Sequence, residues 1–100
     1  MNDRKLAGLL GFAVKARQAV AGADACRILI RSGKCGVLLL DGGVSVNTRK
    51  QAEESCSRTG TPVIVLPEGM IEEATGRDNI VIGIPKGSFS EGILKISNEG

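Results

Sequence analysis

Apolar residues recur along this chain at two spacings. Near the start, Leu6, Leu9, Leu10, Ala13 and Val14 fall at i, i+3, i+4, i+7 and i+8. That is one face of a helix, with Asn2 or Asp3 available as its cap and an end near Arg17. Ala19 to Ala21 is a short extended piece broken by Gly22. Ala25 to Ser32 then reads as a second helix stopped by Gly33, which places Gly22 and Asp24 at a helix amino terminus. Val37 to Leu40, Val63 to Leu66 and Ile80 to Ile84 are short apolar runs bounded by turn residues, each suited to a strand buried on both faces. The polar segment from Val46 to Arg58, closed by Gly60, carries Thr48, Ala52, Cys56 and Thr59 along one side and predicts a third, partly exposed helix. Met70, Ile71 and Ala74 mark a short fourth helix ending at Gly76. Ser88 with Glu91 three residues later predicts a capping box ahead of a fifth helix bearing Phe89, Ile93, Leu94 and Ile96. Helices alternating with strands predict an α/β fold, a three-layer α/β/α sandwich around a small four-stranded, mostly parallel (mixed) sheet.

Length and composition narrow this further. One hundred residues with 42% apolar content are expected to form one domain over residues 1–100, with a core just large enough to hold it. The net charge of +2 says little, but its distribution is uneven. Residues 1–60 hold ten Lys and Arg against five acids, and residues 61–100 hold three against six. A nucleic-acid face on the amino-terminal half would produce that asymmetry, and so would an ordinary solvated surface. Cys26, Cys35 and Cys56 have no C-x-x-C spacing and no His to complete a metal set, so no metal is expected and the thiols read as small buried hydrophobes of a reducing cytosol. The apolar stretch Leu6 to Val14 runs straight into Lys15 and Arg17, which opposes an export signal, and no stretch approaches the roughly 18 apolar residues of a membrane span. A cytoplasmic location without membrane contact is the expectation.

Most catalytic chemistry lacks its residues. The chain has no His, Trp or Tyr, so an ordinary triad cannot be assembled. Gly33-Lys34-Cys35 has the Gly-Lys of a phosphate loop, but it lacks the first glycine, the following Ser or Thr, and the strand-to-helix context. Asp24 and Asp41 are the carboxylates placed as α/β enzymes place theirs, and cap and turn roles account for both. No cofactor and no enzymatic activity are expected. Phe12 and Phe89 are the only aromatics and sit within apolar helical patterns, so both are expected in the core. Any RNA would then be read by shape, backbone contacts and a few base-edge hydrogen bonds, not by stacking.

The order of elements, together with Leu9-Leu10-Gly11-Phe12-Ala13, Ala21-Gly22, Ile30-Arg31-Ser32-Gly33-Lys34, Asn47-Thr48-Arg49-Lys50 and Thr61-Pro62-Val63, closely resembles the ribosomal protein L-seven-Ae family, most of all its bacterial YlxQ branch. The match runs nearly the whole length in one register. The resemblance implies a non-enzymatic binder of structured RNA, kink-turn or ribosomal, in which the glycine opening the second helix and the residues after it meet sheared G·A pairs. A loop before the last strand shelters an extruded nucleotide. Carried onto this chain, the implied RNA-binding residues are Gly22, Asp24, Arg27, Arg31 and Lys34 on a main face, with Gly76 and Arg77 on a second. Where kink-turn binders commonly carry Asn, Glu and Lys, this chain has Asp24, Ala25 and Ile28. Asp24 can accept from a guanine edge or cap the helix, but its charge repels phosphate unless Arg27 or Arg31 offsets it. Ile28 is expected in the core at this spacing; if exposed, it points to a protein contact. The alternative reading is therefore the same fold with a degenerate RNA site, serving as a protein-binding or ribosome-associated scaffold.

Overall fold

The computed structural model describes residues 2–99. Its elements in chain order are α1 (Asp3–Lys15), β1 (Val20–Ala21), α2 (Ala23–Arg31), β2 (Cys35–Asp41), α3 (Val46–Thr59), β3 (Val63–Leu66), α4 (Met70–Thr75), β4 (Val81–Pro85) and α5 (Ser88–Asn98). The side chain of Asn2 caps α1 by accepting from the Lys5 N–H at 3.1 Å, and Ser45 caps α3 by accepting from the Thr48 N–H at 3.1 Å. Gly60 closes α3 in the left-handed conformation that its missing Cβ makes cheap. At α5 the reciprocal bonds lie elsewhere than expected. Gly87 is the residue before the helix, and Ser90 Oγ accepts from the Gly87 N–H at 3.1 Å and donates to the Gly87 carbonyl at 3.0 Å, so Ser88 is already inside the first turn.

The sheet is mixed, in the order β1-β4-β2-β3. Strands β1, β2 and β3 all run in one direction, as their helical connections require. β4 runs the other way and lies between β1 and β2, pairing antiparallel with both, so β2 with β3 is the parallel pairing. The share of parallel pairing is thus smaller than strand direction alone implies, because the last strand inserts between the first two.

Side chains alternate across the sheet and build two cores. Val37, Leu39, Ile82 and Ile84 face Leu6, Leu10 and Ala13 of α1, Met70 and Ile71 of α4, and Ile93 of α5. Leu38, Leu40 and Val81 face Cys26 and Ile30 of α2 and Cys56 of α3. Helices on both faces make the three-layer α/β/α sandwich. Phe12 is not core: it is 63% exposed, because Leu6, Leu10 and Ala13 take the buried stripe of α1 and residue 12 falls on the opposite side. Phe89 is half-buried against the first core.

All three cysteines are free and buried in the second core. Loss of hydration pushes the Cys26 and Cys56 thiols up to about 11 and raises that of Cys35 as well. A thiol that titrates higher folded than unfolded retains its proton where the unfolded chain has lost it. Its stabilising effect is therefore complete below the unfolded value of 9.0 and fades as pH climbs from there toward 11. Thermal melts are expected to show a midpoint that declines above about pH 9. The double variant Cys26→Ala/Cys56→Ala should flatten that decline, and an equally steep slope in the variant would refute the assignment.

Candidate functional site

The carboxyl ends of β1, β2 and β3 point to one end of the sheet, where Gly22, residues 42–45 and residues 76–80 meet. Gly22 has φ 96° and ψ 149°, a conformation essentially confined to glycine. It turns the chain from β1 into α2, donates its N–H to the Val81 carbonyl at 3.1 Å, and accepts from the Cys26 N–H at 3.0 Å. No side chain caps α2. The first N–H groups of a helix have no partner within it, so this end presents open donors and the positive end of the helix dipole. Asp24 is not a cap. Its carboxylate lies in the first turn, 93% exposed, and pairs with Arg27 at 3.2 Å, so the cation offsets the charge that would repel phosphate. The pair is too exposed to add much stability. The flank of Arg27 borders a cleft of about 290 Å³ between α2 and α3, floored by Cys26, Ile30, Leu38 and Val81.

Two hydrogen bonds from Asp41 organise the neighbouring turns. Its carboxylate accepts from the Gly43 N–H at 2.8 Å and from the Gly69 N–H at 2.9 Å, tying the β2–α3 turn to the β3–α4 turn. Gly42 is needed there, since a Cβ would stand 2.7 Å from the Leu66 carbonyl oxygen. The Asp41 N–H in turn donates to the Ile80 carbonyl at 2.8 Å, so the segment entering β4 is held against the same end. Gly76 closes α4 in the left-handed conformation. Thr75 Oγ1 then accepts from the Arg77 N–H at 3.2 Å, which fixes the loop carrying Arg77.

The predicted residues therefore divide. Gly22, Asp24 and the loop of Gly76 and Arg77 share this end, with Arg27 one turn along α2. Arg31 ends α2, about 13 Å away by the rise of a nine-residue helix, and Lys34 lies beyond it at the opposite end of the sheet. Ile28 is 69% exposed on the outer side of α2, not in the core, because Cys26, Leu29 and Ile30 supply the packed side.

Two apolar residues at this end escape a reading of the sequence. Val46, the first residue of α3, is 84% exposed, and Ile80, just before β4, is 46% exposed. The signal for Val46 was its absence from the Thr48, Ala52, Cys56 and Thr59 side of α3. Ile80 had none, because it continues an apolar run. Together they set exposed apolar surface beside open helix donors.

No family model matches the chain, and no curated protein matches it. Solved structures do. A protein of unknown function from Bacillus halodurans superposes with a TM-score of 0.90 at 27% identity, over 95% of this chain and 98% of that one. The Giardia lamblia 15.5kD RNA binding protein gives 0.76 at 15% identity, over 94% of this chain and 86% of that one. The Thermoplasma acidophilum Pelota protein gives 0.65 at 16% identity, over 84% of this chain but 28% of that much longer one. The chain thus has the fold of the Giardia 15.5kD RNA binding protein over nearly the whole of its length.

Proposed function

We propose that this protein is a non-enzymatic, cytoplasmic, ribosome-associated binder of structured RNA of the kink-turn type, gripping it at the end of the sheet where Gly22 opens α2. The observation that carries the reading is the uncapped α2 amino terminus beside the loop into β4, in a fold shared with an RNA-binding protein. Open N–H groups and a helix dipole suit phosphate, and glycine lets the backbone come close. Exposed Val46 and Ile80 suit the apolar face of an unstacked base.

A scaffold role for the same fold is the second reading, favoured by exposed Ile28, which would make a protein contact. Titration against a kink-turn RNA and a straight duplex at two salt concentrations separates them. The RNA reading expects the kink-turn to bind at least about tenfold more tightly; weak and equal binding of the two moves the assignment to the scaffold. Ile28→Lys sharpens the test, because its exposure leaves the fold unaffected and it restores a cation where kink-turn binders carry one. On the RNA reading the variant binds more tightly and its salt slope rises by about one unit. On the scaffold reading the RNA titration is unchanged.

A further inference from the structure

At the end of the sheet opposite Gly22, three turns converge. Gly33, Gly60 and the Lys86–Gly87 pair border a single cleft of about 260 Å³, whose rim also carries Thr59 and Thr61. Gly33 and Gly60 hold left-handed conformations, with φ of 74° and 71°, and neither places a side chain over the opening. The Lys86 N–H donates to the Lys34 carbonyl at 2.8 Å, so two lysine-bearing turns are locked side by side. Gly36 lets them close up: a Cβ there would run into the Ser90 side chain and stand 3.0 Å from Lys86 Cα. Arg31 at the end of α2 and Arg58 in the last turn of α3 flank the same turns.

All four cations, Arg31, Lys34, Arg58 and Lys86, are exposed. Among the described residues the ion pairs are Arg27 with Asp24 and Arg49 with Glu53, so none of the four is neutralised by a partner. Against them stand Glu91, which borders the cleft, and Glu54, one turn before Arg58. The Gly22 end is different in character, since its cations stand beside acids: Arg27 is paired with Asp24, and Arg77 is followed by Asp78. Unpaired cations gathered on adjoining turns attract a polyanion through its phosphates, without base reading.

We infer that this end is a second RNA contact, which holds the phosphodiester backbone through Lys34 and Lys86, with Arg31 and Arg58 beside them. It accounts for two cations that the resemblance assigns to one face with Gly22 and that the fold carries to the other end. The inference rests on RNA being the ligand, and is independent of whether the Gly22 end recognises a kink-turn.

The test is the salt dependence of binding to a straight RNA duplex by the full chain, the Lys34→Gln/Lys86→Gln variant, and a Lys5→Gln/Lys15→Gln control on α1 that removes equal charge elsewhere. Loss of two phosphate contacts should lower the slope of log affinity against log salt by about two units and weaken binding at low salt at least about tenfold. The control should change the slope by less than about half a unit. Equal behaviour of the two variants, an unchanged slope in the first, or no measurable duplex binding by the parent chain would each overturn the inference. Melting midpoints matching the parent's confirm that both variants are folded. A kink-turn RNA run in parallel keeps the two readings apart: lost kink-turn preference with the slope effect intact sinks the proposed function alone.

Discussion

Gly22→Ala is expected to lower stability by about 1–3 kcal/mol, because φ 96° with ψ 149° is closed to residues with a Cβ even though open space surrounds the position. In a chain of this size that corresponds to a drop in melting midpoint of about 4–20 °C. A Cβ there also disturbs the turn that aims the first N–H groups of α2. On the RNA-binding reading, preference for a kink-turn over a duplex should therefore fall at least about tenfold, a change of about 1.4 kcal/mol. Gly60→Ala makes the comparison fair. It too forces a side chain into a left-handed position, φ 71°, but at the far end of the sheet, so it should destabilise while leaving the kink-turn preference intact. If both variants lose that preference equally, the loss reflects general destabilisation and the site assignment fails.

Asp41→Ala is expected to cost about 3 kcal/mol, since a carboxylate accepting two backbone N–H groups at 2.8 and 2.9 Å is removed and both donors lose their partner. The melting midpoint should fall by about 10–20 °C. Hydrogen exchange should then quicken first at the Gly43 and Gly69 amides, the two groups Asp41 ties together. A midpoint within about 2 °C of the parent would show that water replaces the carboxylate and that the turns hold themselves.

How much of this was legible in the sequence depended on the range of the interactions involved. Helix faces were readable because periodicity is local: Leu6, Leu10 and Ala13 are buried where their spacing put them, and Val63–Leu66 matches its predicted bounds. The same spacing already excluded Phe12 from the buried stripe, two positions from Leu10 and from Val14. Reading the surrounding residues as uniformly apolar concealed that. Sheet order was less accessible, because β1 is only two residues long and its partner lies some sixty positions away. Within the site, Gly22 was legible as a glycine ahead of a helical pattern. Arg31 and Lys34 were grouped with it because sequence proximity hides the length of an intervening helix. The capping of α5 was misplaced by one residue, since Ser88 with Glu91 fits the pattern and only the backbone reveals that Gly87 is the cap and Ser90 makes the bonds.

The position of β4 also dictates when this molecule can finish assembling during synthesis. A nascent chain that has reached Leu66 can already join β2 to β3, a pairing of neighbours in sequence across α3. β1 has no partner until β4 exists, and one side of β2 stays bare until the same moment. Closure of the sheet therefore waits for residue 85, and in the interim one edge of β2 keeps its backbone N–H and C=O groups unpaired. Such late, long-range pairing slows folding and leaves an unpaired strand edge open to other chains until β4 has emerged.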